Sequence, residues 1–149
     1  MYTIIRTDSD NVDFQQLVSE LDHYLAIRNG DTNDFFAQYN KIDLIKNVVM
    51  AYDGDEPIGC GAMKDFEGAA MEIKRMYVPA DKRGKGIARN ILTELEQWAN
   101  ELGYIKCILE TGDDMFEAVG LYKKCNYTVI PNYGQYKNIM NSICFEKMI

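Results

Sequence analysis

Apolar positions recur along this chain with two periods, and each change of period marks a new element. Tyr2–Arg6 reads as a short apolar strand. Val12, Leu17, Val18, Leu21, Tyr24 and Leu25 then fall on one face of a helix, which Asn11 or Asp10 can cap and which should stop near Asn29-Gly30. Asp31 to Tyr39 predicts a second short helix carrying Phe35, Phe36 and Tyr39. Strands follow over Val48–Tyr52, Ile58–Met63 and residues 70–78. The turns Asp53-Gly54-Asp55-Glu56-Pro57 and Phe66-Glu67-Gly68 join them into an antiparallel meander. After Gly86 the period switches, and Ile87, Ile91, Leu92, Leu95, Trp98 and Leu102 predict a helix over 86–102. A strand over 104–110, a helix over 115–125, a strand over 127–130 and a last strand, Ser142–Lys147, complete the chain. The strand–helix–strand crossover predicts parallel pairing of 70–78 with 104–110. The fold class is mixed α/β: a central mixed sheet with an antiparallel meander and helices on both faces.

Composition narrows the function classes. A chain of 149 residues, 47% of them hydrophobic, is long enough for one domain over 1–149 with a real core. The start, MYTIIRTDSD, lacks the apolar core of a signal peptide, and no apolar run approaches the roughly 20 residues of a membrane span. A cytoplasmic protein without a membrane partner is expected. Cys60, Cys107, Cys125 and Cys144 are far apart, and His23 is the single histidine, so neither a metal site nor a disulfide framework is predicted. Three of these cysteines lie in strand-like segments, where a thiol acts as a small hydrophobe. A net charge of −7 argues against nucleic acid as a partner.

Charge distribution says more than its total. Residues 74–89 hold Lys74, Arg75, Lys82, Arg83, Lys85 and Arg89 against Asp81 alone, a net of +5. A run of this kind is often only a solvated face, but these charges cluster at Arg83-Gly84-Lys85-Gly86, where a strand ends and a helix begins. The first amides of a helix have no internal partner, and the helix dipole places partial positive charge there. Glycines let a ligand approach the backbone. A phosphorylated ligand is expected. The frame fits neither a P-loop nor a dinucleotide fingerprint, which need GxxxxGK[ST] and GxGxxG.

Arg83-Gly84-Lys85-Gly86-Ile87-Ala88 resembles the R/QxxGxG/A loop of the GNAT superfamily of acyl-CoA-dependent N-acetyltransferases. Glu72-Ile73-Lys74-Arg75-Met76-Tyr77-Val78 is similar to that family's central strand, and the run Ala118 to Tyr127 resembles its AxxLYxxxGF segment. The chain departs from the pattern at Asn126, where the family has Gly, and at Met115, where it often has Asn. The resemblance implies acetyl-CoA as cosubstrate, with the pyrophosphate on the amides of Arg83, Gly84, Lys85, Gly86, Ile87 and Ala88. It also implies pantetheine pairing along Met76, Tyr77 and Val78, a splay between that strand and the next, Glu72 as general base and Tyr122 as the acid beside the leaving thiolate. It leaves a homodimer open.

The residues allow alternatives. Glu72 could accept a proton from an amine of pKa about 10.4, or merely pair with Lys74 on its own strand face. Tyr122 could serve the thiolate or the core. Aromatics and carboxylates (Tyr24, Phe35, Phe36, Tyr39, Glu72, Glu110, with Thr111) suit a small primary amine as acceptor, under a lid at 132–136 that includes Tyr136. Direct transfer in a ternary complex is expected, since no cysteine has a histidine nearby in sequence. A non-catalytic acyl-CoA-binding module and a peptide or protein acetyltransferase are the rival readings.

Overall fold

The structure, a computed structural model, describes residues 1–30 and 45–149; the predicted helix at 31–39, with Phe35, Phe36 and Tyr39, lies outside them. Among the described residues the strands are β1 (Thr3–Thr7), β2 (Asn47–Asp53), β3 (Glu56–Phe66), β4 (Ala70–Tyr77), β5 (Lys106–Gly112), β6 (Thr128–Ile130) and β7 (Ser142–Met148). The helices are α1 (Val12–Asn29), α2 (Ile87–Glu101) and α3 (Phe116–Lys124). Hydrogen bonding orders the strands β1-β2-β3-β4-β5-β7-β6. By internal contacts the chain forms two compact units: Met1–Lys64 with Lys74–Leu95, and Asp65–Ile73 with Glu96–Ile149.

In the first unit, β2 pairs antiparallel with β3 as predicted, and β1 adds antiparallel to the other edge of β2, with Met50 opposite both Ile5 and Cys60. The hairpin loop is shorter than expected. Asp53 pairs with Glu56, so only Gly54 and Asp55 turn, and Gly54 takes the positive φ of 62° that the tight loop demands. Asn11 is the cap of α1: its side chain accepts from the Phe14 amide at 2.9 Å. The buried face of that helix is Phe14, Leu17, Val18 and Leu21, whereas Val12, in the first turn, is exposed. Phe14, Leu17 and Val18 pack with Val48, Met50, Cys60 and Ala62. The opposite side of β3 faces α2: a Cβ on Gly59 would stand 2.9 Å from Ile87, and one on Gly61 would stand 2.9 Å from Ile91. Both sides of these strands therefore carry a helix, which explains why β2 and β3 read as nearly continuous apolar runs.

The buried stripe of α2 runs through Ile87, Ile91, Leu92, Leu95 and Ala99. Leu102, expected on that stripe, lies past the last helical residue and is half exposed.

In the second unit, β4 pairs with β5 in parallel, as expected, through Ala70–Glu72 and Lys106–Ile108. The strand predicted from 104 begins two residues later, and Ile105 is exposed. The last strand does not lie at the edge. β7 inserts between β5 and β6, antiparallel to both. On one side of this sheet Phe145 meets Tyr122 of α3 at 5.9 Å, and Tyr122 meets Tyr127 edge-on at 5.8 Å. Tyr127 donates to Glu96 at 2.8 Å, and Lys147 reaches the other oxygen of that carboxylate at 2.9 Å. This buried acid is thus paired from two elements. Asn126 has φ 72°, so it supplies the left-handed turn for which the family pattern uses glycine.

All four cysteines are buried thiols outside any disulfide. Burial pushes the Cys60 and Cys107 thiols up to about 12 and the Cys144 thiol up to about 11. They stay protonated near neutral pH, in keeping with structural thiols.

Candidate active site

Two sets of residues carry the chemistry. The first is the backbone loop that leads into α2. After β4 ends, Pro79 opens a single 3₁₀ turn, Ala80–Lys82, and the Arg83 Nε donates to the Val78 carbonyl at 2.8 Å. Gly84 and Gly86 have φ of 83° and 78°, values that side chains resist. The Gly86 carbonyl accepts the Asn90 amide at 3.0 Å, which sets Gly86 at the cap of α2 with no side chain to occupy the helix's first amides. No acid lies in that first turn. A Cβ on Gly84 or Gly86 would meet no atom within 4 Å, so the loop has room for a phosphate group.

The basic cluster read from the sequence divides on folding. Lys82 pairs with Glu56 at 3.2 Å, and Arg83 spends its Nε on the strand end. Arg75 leaves the cluster altogether: its side chain is buried and ion-paired with Asp22 of α1, and its Nε is a buried donor without a partner among the described residues. Its φ of 59° interrupts the regular alternation of β4, and its carbonyl accepts from the Cys60 thiol at 3.4 Å. Lys85 and Arg89 remain exposed at the loop, without an ion pair among the described residues.

The second set lies on one side of the second unit's sheet. Glu72 is the last β4 residue paired to β5 and is 5% exposed. Its register partner is Ile108; two residues on, Glu110 shares that side and pairs with Cys144. Pairing of β4 with β5 thus stops at Glu72, although β5 continues to Gly112. Tyr133 donates to Glu72 Oε2 at 2.7 Å, and Ser142 donates to Glu110 Oε2 at 2.6 Å. Burial first, then the Glu72 carboxylate, holds the Tyr133 phenol well above its ordinary range. Burial and the charges of Glu110 and Glu72 raise Tyr136 likewise.

The segment expected as a lid is folded in. Gly134–Tyr136 is a 3₁₀ turn, Tyr136 is buried, and the ring of Tyr133 stands 5.2 Å from Phe66 and 5.8 Å from Tyr136. The pairing of Glu72 with Tyr133 was missed by sequence reasoning because the two lie 61 positions apart. Only the aromatic-polar composition of 132–136 pointed to it.

Tyr122, on α3, is 6% exposed, with its ring against Phe145 and Tyr127. Burial, followed by the charges of Cys125 and Glu110, pushes its phenol above the ordinary range. The N-terminus of α3 has Met115 at its cap and no side-chain cap bond, since a thioether side chain is a poor acceptor for the first amides.

Comparison with known proteins agrees with this geometry. Residues 13–127 match the acetyltransferase (GNAT) family model. An IAA acetyltransferase from Azospirillum brasilense is 31% identical over 134 residues, 89% of this chain and 88% of that protein. A Klebsiella pneumoniae protein described as an acyl-CoA N-acyltransferase is 26% identical, with a TM-score of 0.82 over 99% of this chain and 97% of its own. The PaiA N-acetyltransferase of Thermoplasma acidophilum, solved with coenzyme A, has a TM-score of 0.73 at 17% identity, covering 100% of this chain and 99% of its own.

Proposed function

Because the chain belongs to the GNAT acetyltransferase family, we propose that it moves an acetyl group from acetyl-CoA to the primary amine of a small molecule, by direct transfer in a ternary complex. Residues 1–149 would act as one catalytic domain. No described helix is long and apolar enough to cross a membrane. The observation that carries the reading is the open amide loop ahead of Ile87, where Gly84 and Gly86 hold positive φ and no side chain fills the space.

Each residue has a definable task. The amides of Arg83 to Ala88 would hold the pyrophosphate, with Lys85 and Arg89 adding charge. The strand end Met76–Val78 would pair with the pantetheine arm, and the Met76 amide would polarise the thioester carbonyl. An amine is protonated near neutral pH and attacks only when neutral. Glu72 takes that proton: an N–H bond breaks and an O–H bond forms on the carboxylate. The amine nitrogen then bonds the acetyl carbon as the C–S bond breaks and the electron pair leaves on sulfur, and the second proton of the nitrogen passes through solvent to the thiolate, leaving a neutral amide and a thiol.

Tyr122 would donate a hydrogen bond to that thiolate. A thiol of pKa about 8.5 is a stronger acid than a phenol held above its usual range, so complete proton transfer is uphill and stabilisation of the anion is its main task. The protonated cysteines support transfer without an acyl-enzyme. The burial of Glu72 among Tyr133, Tyr136 and Phe66 favours a small acceptor over a protein chain.

The test begins with calorimetric titration of acetyl-CoA, using ATP and NAD as controls. Selective micromolar binding is expected, and Gly86→Val should weaken it at least about tenfold, because valine resists the loop's positive φ. Equal binding of all three ligands would reduce the loop to a general anion site. A screen of small amines and basic peptides follows, in which Tyr122→Phe should lower kcat roughly 10- to 100-fold with little change in KM. An unchanged kcat would return Tyr122 to the core.

A further inference from the structure

Tyr133 is ordered by contacts that have nothing to do with Glu72. The Tyr136 amide donates to the Tyr133 carbonyl at 2.9 Å, and the Asn132 side chain donates to the Ile139 carbonyl at 2.9 Å, which closes the turn. Gly134 takes a φ of 52° with its Cβ position 3.4 Å from Phe66, and the Tyr133 ring packs between Phe66 and Tyr136. The ring is therefore fixed by packing, and its hydroxyl is brought to Glu72 Oε2 at 2.7 Å. A phenol that stays protonated can only donate to a carboxylate. The bond is thus charge-assisted when Glu72 is ionised and loses that assistance when Glu72 takes up a proton.

We propose that Tyr133 is a positioning residue for Glu72: its hydroxyl holds the carboxylate in one rotamer, ready to receive the proton of the acceptor amine. The inference rests on Glu72 being the proton acceptor of the reaction above. The other groups that face this carboxylate are Tyr136 from the same turn, Cys144 from β7 and Glu110 from β5, with Lys74 two residues along β4. Burial holds Tyr136 and Cys144 protonated, so neither supplies a counter-charge. Glu110 has its own donor in Ser142. Tyr133 brings its donor to Glu72 Oε2 from outside the carboxylate's own strand, on a ring that packing has already fixed.

The test compares wild type with Tyr133→Phe, which keeps the ring against Phe66 and deletes only the donor. With acetyl-CoA and 2-phenylethylamine as probe, and thiol release as readout, kcat should fall about tenfold at unchanged KM. The acid limb of the rate profile should move to higher pH, because a carboxylate that loses a donor takes up a proton more readily. Without any acceptor, the carboxyl ¹³C signal that disappears in Glu72→Gln should titrate at higher pH in Tyr133→Phe than in wild type. Coincident titrations would overturn the proposal whatever the kinetics show. If Glu72→Gln keeps full turnover, the assignment of Glu72 as proton acceptor fails instead, and the titration still reports on the hydrogen bond. If Glu72→Gln is inactive while Tyr133→Phe has the wild-type profile, the positioning role alone is lost.

Discussion

Glu72→Gln should lower kcat/KM by about 10²- to 10⁴-fold, the range supplied by a positioned general base and worth roughly 3–5 kcal/mol. The substitution is chosen to isolate basicity. Glutamine has the same length, and its amide oxygen can still accept the Tyr133 hydroxyl that now reaches Glu72 Oε2 at 2.7 Å. The side chain is 5% exposed, so a larger change of shape would disturb the packing and blur the result. What glutamine cannot do is hold the amine's proton. Binding of acetyl-CoA should therefore be unchanged by calorimetry, and the melting temperature should stay close to that of wild type. Loss of activity together with loss of stability would mean that Glu72 is structural. Full activity in a correctly folded variant would remove it from the mechanism. Raising the pH should partly rescue the variant, because a larger fraction of the acceptor is then already neutral.

Gly61→Val should be the most destabilising substitution among the described glycines, by about 3 kcal/mol, with a fall in melting temperature of about 6–12 °C. A first carbon at this position would stand 2.5 Å from the Met76 sulfur, 2.9 Å from Ile91 and 3.0 Å from Leu95. Met76 can swing aside, since its thioether is flexible. Ile91 cannot: it is β-branched, fully buried, and also stands 2.9 Å from the corresponding position of Gly59. α2 would have to lift from β3, and the loop at its N-terminus would move with it, so acetyl-CoA affinity should fall as well. Gly120→Ala is the control: no atom lies within 4 Å of its Cβ, and alanine within α3 should raise stability by up to about 1 kcal/mol. Equal stability of Gly61→Val and wild type, measured by denaturant unfolding, would show that the close approach of α2 to β3 is not what these glycines serve.

What could be read in advance was what lies close along the chain. Asn11 caps α1 through the amide three residues ahead. Gly84 and Gly86 shape a loop whose every part lies within a few positions, and both take the positive φ that the motif requires. The hairpin of β2 and β3 and the parallel crossover followed from turn length and connection length. Apolar periodicity misled only where an element ended. Val12 and Leu102 continue the pattern of their helices but lie at or past their limits, where nothing covers them.

The sequence by itself therefore determined the described elements, the hairpin of β2 and β3, the crossover and the amide loop, because capping, turn chemistry and periodicity are interactions between neighbours. Folding alone decided which charges remain available. Arg75 lies among the basic residues in the chain, yet a φ of 59° and Asp22, 53 positions away, draw it into the interior. Folding also placed β7 inside the sheet rather than at its edge, because pairing partners are chosen by complementary faces and not by order along the chain. It brought Tyr133 across 61 positions to Glu72, a contact paid for by the packing of Phe66 and Tyr136 and encoded in no local pattern.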